Sequence, residues 1–235
     1  MESLNINAQS LMAMAIGIAL AYFIIKFLNE RKSKKQSQYS GQSFRQFKPQ
    51  GTSYGQAGDE GELLFKKHLE TLKGKKINNY MTTPNMMING KNFEIDFLVL
   101  VPKVGIVMVE VKYYAGQVKC IKGQDWLQTK ANGNTETRKN ASKQALRTRH
   151  LMVSALKEQN LNKWPIIPVV VFTHPTATIL RAKGDLLPET DIIRMEMFSS
   201  WLDKQPRKSN IKFTKEDNDR IKQALSTHVK EYEAA

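Results

Sequence analysis

Cysteine is almost absent. Cys120 is the single one in 235 residues, so the chain has no internal disulfide and no cysteine-rich zinc site, and it suits a reducing compartment. The four histidines, His68, His150, His174 and His228, stand alone with no metal-ligand spacing, so zinc is not implied. No glycine-rich phosphate loop follows an apolar run, which leaves nucleoside-triphosphate chemistry unsupported, and no internal repeat is visible. Acidic residues are scarce beside basic ones. Asp and Glu total 22 against 36 Lys and Arg, a formal charge of +14. A surface that basic draws polyanions, either nucleic acid or anionic lipid, although charge alone is also compatible with a basic domain that has no specific partner.

What the chain does have is one long apolar run. Leu11 to Leu28 is apolar or small except for Lys26 near its end, where a long side chain can reach the headgroups. A bilayer core needs about 20 helical residues, with a range of about 17–25. A signal peptide would want a basic start, but residues 1–10 carry only Glu2 as a charged side chain. A buried core helix would want a polar stripe, and none is present. The run therefore predicts a transmembrane helix over 11–28. Arg31, Lys32, Lys34 and Lys35 follow directly, placing the short tail 1–10 outside and the bulk of the chain on the cytoplasmic side of an inner membrane, as a single-pass protein. Residues 29–57, rich in Ser, Gln and Gly, read as a basic flexible linker lying near anionic lipid.

The remainder reads as a mixed α/β domain. A helix is expected over 58–73, with Leu63, Leu64, Leu69 and Leu72 on one face and Gly74 as its stop. Ile77–Thr82 reads as a strand and Pro84–Asn92 as a turn region containing Asn89-Gly90. Phe93–Val101 and Gly105–Tyr113 are strong strands, expected to form an antiparallel hairpin through Pro102-Lys103-Val104. Further strands are expected at Gly116–Ile121, Ile166–Thr173 and Asp191–Met197. Helices are expected over 138–158, with Leu146, Leu151, Val153 and Leu156 as apolar positions, and over Thr214–Tyr232, opened by a capping box of Thr214 and Asp217.

Polar residues inside the apolar strands carry the chemistry. Alternation turns Phe93, Ile95, Phe97 and Val99 one way and Glu94 and Asp96 the other. In the next strand it separates Val107, Val109 and Val111 from Met108, Glu110 and Lys112. Pairing can gather Asp96, Glu110 and Lys112 on one face. Two carboxylates and an amine in a half-apolar surface are costly unless paired or bound to metal, and such a set suits a hard divalent cation. The plain alternative is a solvated ion pair on an open sheet face, and the Glu-x-Lys spacing recurs at Glu30-Arg31-Lys32 with no such role.

Four features occur in a fixed order: Gly58-Asp59-Glu60-Gly61-Glu62 opening a helix, Glu94-Ile95-Asp96 in a strand, Glu110-Val111-Lys112 in the next strand, and a downstream helix bearing Gln144. Together they resemble the NERD (nuclease-related) domain, a branch of the PD-(D/E)xK restriction-endonuclease-like superfamily, over residues 58–175. Trp126 matches an aromatic common in the family, whereas Asn140-Ala141 departs from its usual Asn-Pro. The resemblance implies a restriction-endonuclease-like mixed sheet flanked by helices, here preceded by the transmembrane helix, with 176–235 completing the domain. It implies a nuclease acting on DNA with Mg2+ or Mn2+. Asp96 and Glu110 would bind the metal, and Glu62 would contact it directly or through water. Lys112 would orient or help deprotonate the attacking water, and Gln144 would steady the site from the second helix. Arg138, Lys139, Lys143, Arg147 and Arg149 crowd the helix of Gln144 and are candidate phosphate contacts, or else a solvated face. Two other readings stay open: a non-catalytic nucleic-acid-binding module, and a scaffold that recognises the membrane surface.

Overall fold

The computed structural model describes residues 53–88 and 90–229. The tail, the apolar run over 11–28 and linker residues 29–52 lie outside them, as does the expected end of the last helix at Tyr232. Among the described residues no helix is long and apolar enough to cross a membrane.

A five-stranded sheet forms the centre of the described unit. Its order is β1 (Asn79–Ile88), β2 (Lys91–Val101), β3 (Gly105–Lys112), β7 (Ile166–Phe172) and β9 (Asp191–Arg194). β1, β2 and β3 form an antiparallel meander, while β7 and β9 run parallel to β3. Pro168 is tolerated inside β7 because the β9 pairing starts one residue later, at Val169↔Asp191, so the missing N–H falls outside that ladder. A smaller sheet takes the order β6 (Thr135–Arg138), β5 (Trp126–Thr129), β4 (Gln117–Cys120) and β8 (Thr178–Arg181).

Helices cover both faces of the large sheet, as strands buried on two sides require. On one face α1 (Ser53–Leu72) and α3 (Phe198–Asp203) pack Phe65, Leu69, Phe198 and Trp201 against Phe97, Val99, Val107, Val109 and Val171. On the other, α2 (Ala141–Glu158) and α4 (Lys215–Ser226) pack Ala145, Met152, Ile221 and Leu225 against Leu98, Leu100, Ile106, Met108 and Val170. Trp126 of the small sheet is fully buried in the same cluster, its ring stacked 6.2 Å from Phe172.

Several expectations are corrected. The first helix begins at Ser53 rather than Gly58 and buries Phe65, while Leu63 is 52% exposed. A three-residue offset separates Leu69 from Leu72, and Phe65 lies four before Leu69, so these three share the stripe that Leu63 misses. β1 continues to Ile88, through the region expected to turn, and the turn proper is the two-residue step between Ile88 and Lys91, with Gly90 at φ +70°. The strand expected to run to Met197 ends at Arg194 and becomes a 3₁₀ turn. The capping box of Thr214 and Asp217 is present, but its helix ends at Ser226.

Candidate active site

β2 and β3 pair from Val101↔Gly105 up to Phe97↔Val109 and then part. The parting has a local cause on β1. Between Met81↔Leu98 and Thr83↔Ile95, β1 advances two residues while β2 advances three, so β2 carries a bulge at Asp96-Phe97. A bulge breaks the alternation of faces. Ile95 consequently packs in the cluster of Leu98 and Leu100, not with Phe97 and Val99 as strict alternation predicted. The same bulge aims Asp96 across the gap, where its Oδ2 accepts the Val111 N–H at 2.6 Å. A carboxylate thus replaces the ladder bond the splayed strands cannot make.

Glu110 and Lys112 project into this opening from β3. Glu110 is 4% exposed, and Lys112 Nζ donates to its Oε1. Burial, and then the negative charge of Asp96, push the Glu110 carboxyl well above the usual carboxylate range, with Lys112 opposing. Burial works against the Lys112 ammonium, but Glu110, Tyr114 and Asp96 more than offset it and hold Lys112 above the ordinary lysine range.

The fourth group arrives from α1. Gly61 crosses so close to the ends of β3 and β7 that a Cβ there would stand 2.9 Å from both Tyr113 Cβ and Thr173 Oγ1. That contact brings the next residue, Glu62, to the opening. Its carboxyl is raised to about 7, first by burial, then by Asp96, Glu94 and Asp59, with Lys112 pulling the other way. Asp96, Glu110, Lys112 and Glu62 are therefore one electrostatic cluster. Glu94, although exposed, acts on both Glu62 and Glu110.

Gln144 is exposed in the first turn of α2. Arg149, further along the same helix, donates from Nε to Ile166 O at the start of β7, so α2 runs back along the strand and its first turn lies toward the Phe172 end, where Lys112 pairs. The departure at Asn140-Ala141 leaves the helix entry intact. Asn140 accepts the Lys143 N–H at 3.0 Å and donates to Ile121 O and Gln124 O. Of the basic residues, Lys139, Lys143, Arg147 and Arg149 are exposed, and Lys143 Nζ reaches Gly123 O at 2.6 Å. Arg138 ends β6 and is not on the helix expected over 138–158, which starts at Ala141; it is half-buried, donates to Gln128 and Glu136, and lies over the Tyr114 ring at 5.0 Å. Arg149, at the far end of β7, is not gathered with the cluster.

Sequence reasoning missed Tyr113, Tyr114 and Thr173, which frame the opening. Tyr113 is hydrogen-bonded to Glu60 and packs 4.6 Å from the His174 ring. The Thr173 hydroxyl is buried without a hydrogen-bond partner, and its N–H donates to Lys112 O. Their only signal was position, immediately after the two central strands.

Among the described residues no three His, Cys, Asp or Glu side chains close into a metal-holding group, and Lys112 is paired with Glu110. The donor chemistry nonetheless fits a hard divalent cation: carboxylate oxygens, mutually repelling, with one ammonium to offset them. The two sheets and flanking helices fit a restriction-endonuclease-like fold. No curated protein and no solved structure matches the chain. Residues 57–173, which carry every group of the cluster, match the model of the nuclease-related domain, and through that domain the chain belongs to the NERD family.

Proposed function

We propose that the protein is a divalent-metal-dependent nuclease that hydrolyses phosphodiester bonds of nucleic acid, with DNA as substrate. The observation that carries the reading is the convergence of Asp96, Glu110, Lys112 and Glu62 where β2 and β3 part. Asp96, Glu110 and Glu62 would hold a Mg2+ or Mn2+ ion, which would supply Lewis-acid polarisation and charge neutralisation at the phosphoryl group. Lys112 Nζ, fully charged near neutrality, donates to the phosphate oxygens and orients the attacking water. Glu62, whose carboxyl stands near 7 in the metal-free protein, would be held ionised by the cation it helps to bind. Gln144, Lys139, Lys143 and Arg147 line the approach at the start of α2, and the +14 charge steers a polyanion toward it.

The apolar run over 11–28 and the basic residues after it support placing this nuclease on the cytoplasmic face of an inner membrane, as a single-pass protein. Retention in the membrane pellet after alkaline carbonate extraction supports that placement, and release into the supernatant contradicts it.

A second reading, a nucleic-acid-binding module that does not cut, is favoured by Lys112 seated on the Glu110 oxygen a cation would need. One assay separates the two. The wild-type chain, Asp96→Ala and Lys112→Ala are incubated with labelled linear, circular and single-stranded DNA and with RNA, in Mg2+, Mn2+ or EDTA. Metal-dependent cleavage lost in both variants supports the nuclease and names its substrate. Absent cleavage with equal, salt-sensitive binding in all three leaves the binding module.

A further inference from the structure

A cavity of about 510 Å3 opens beside β9, the edge strand of the large sheet, between β8 and α3. It is separate from the carboxylate cluster. Its lining includes three cations, Arg181, Arg194 and Lys204, two hydroxyls, Thr178 and Ser200, and the indole of Trp201. The one acid in the lining, Asp191, is already engaged by Trp201 Nε1 at 2.8 Å. Two of the cations are fixed. Arg181 Nη2 donates to Ile192 O, and Arg194 donates to Ala177 O and Pro175 O at 2.7 and 3.0 Å while its Nε pairs with Glu196, an acid just outside the lining. Lys204 is exposed at the end of α3, and Ser200 is exposed on the same helix.

Register connects this cavity to the cluster. Lys112 pairs with Phe172, and Phe172 pairs with Arg194. Two interstrand steps of about 4.8 Å put the Arg194 backbone about 10 Å from that of Lys112, in the same row. The volume falls within the range of about 300–1,000 Å3 typical of small-ligand sites.

We propose that the cavity between β8, β9 and α3 is a phosphodiester subsite, which holds the backbone of the substrate nucleic acid strand a short way along from the reacting phosphate. The inference rests on the nuclease reading. Arg181 forms its fixed floor beside Arg194, whose charge Glu196 partly offsets, Lys204 closes on the phosphate from α3, and Thr178 is the neutral donor, the Ser200 hydroxyl being given to Met197 O. The subsite contributes affinity without sequence choice, because phosphate contacts carry no base information.

The test uses the full chain in neutral detergent and EDTA, so that binding is read without cleavage. A fluorescein-labelled 12-nucleotide single-stranded DNA is titrated by anisotropy at several salt concentrations. Lys204→Glu and Ser200→Glu should each weaken binding about tenfold, and Lys204→Glu should reduce the salt slope by about 0.7, one single-strand phosphate contact. Lys204→Arg should bind as wild type does. Lys208→Glu is the control for general charge, since Lys208 N–H donates to Lys103 O at the opposite end of β3. Equal weakening in Lys208→Glu and Lys204→Glu, or no weakening in either, overturns the subsite, as does a wild-type chain that binds no DNA. Metal-dependent cleavage, assayed in parallel on the same samples, separates these failures from failure of the nuclease reading itself.

Discussion

Gly61 is where the site is most sensitive to a single atom. It has no need of an unusual backbone; it needs the absence of a Cβ, which would meet Tyr113 Cβ and Thr173 Oγ1 at 2.9 Å. Thr173 can rotate, but Tyr113 Cβ is fixed to β3. Gly61→Ala should therefore lift the start of α1 from the sheet, costing about 1–3 kcal/mol in urea melts and displacing Glu62. Unchanged stability would mean that α1 is seated differently. Glu62 itself gives a pH signature. Its carboxyl stands at about 7 in the folded chain against 4.5 unperturbed, so between those values the folded state binds the proton more tightly than the unfolded one. Stability is full below about 4.5 and falls as pH rises to about 7. The melting temperature of the metal-free protein should decline across that window, less steeply in Glu62→Gln, and Mg2+ should restore it more at pH 8 than at pH 5. An identical pH profile in Glu62→Gln would contradict the clustering. Asp96, Glu110 and Lys112 were legible in the sequence because charged residues inside β-branched runs stand out. The bulge that aims Asp96 was not, since it arises from the register of β1 and leaves no mark in the residues of β2.

The elements that sequence pattern found are those whose burial is carried by large apolar side chains. β3 along nearly its whole length, β2 from Phe97 to Val101 and β7 from Val169 to Phe172 are buried on two faces and were legible as such. In the small sheet β4 was expected, at Gly116–Ile121, whereas β5, β6 and β8 have four residues each, too few for a periodicity to register. The buried face of α2 holds the expected Leu151 and Leu156, but the rest of it is Ala141, Ser142, Ala145, Thr148, Met152 and Ala155, mostly residues too small to mark a stripe, while Val153 points outward. The second half of β1 was read as a turn because Pro84 and Asn89-Gly90 punctuate it, yet a proline is admissible on an irregular edge strand. The entry to α2 depends on Asn140, which caps the helix and ties it to the β4–β5 connection. Asn140→Ala should cost about 1–2 kcal/mol by chemical denaturation and loosen the turn that carries Gln144. A loss below a few tenths of a kcal/mol would show that the cap is not supporting the helix.

For the molecule as a whole, charge and site point to the same partner. A chain with 36 basic residues and 22 acidic ones should bind duplex DNA with steep salt dependence, losing about a thousandfold in affinity between 50 and 200 mM salt if about six phosphates are neutralised. A flat dependence would remove the polyanion from the account. Neither the charge nor the fold assigns turnover, because folds host many functions and an intact set of side chains is compatible with binding alone. Turnover is decided by the cluster between β2 and β3. The most direct test is a time course of labelled linear DNA with the full chain in Mg2+ and in EDTA, beside Asp96→Asn. That variant keeps a side-chain oxygen for the Val111 N–H and removes one carboxylate charge. The account predicts cleavage in Mg2+ that disappears in EDTA and falls to background in Asp96→Asn at unchanged melting temperature. Cleavage that persists in EDTA or in the variant, or none in the wild type, would contradict it.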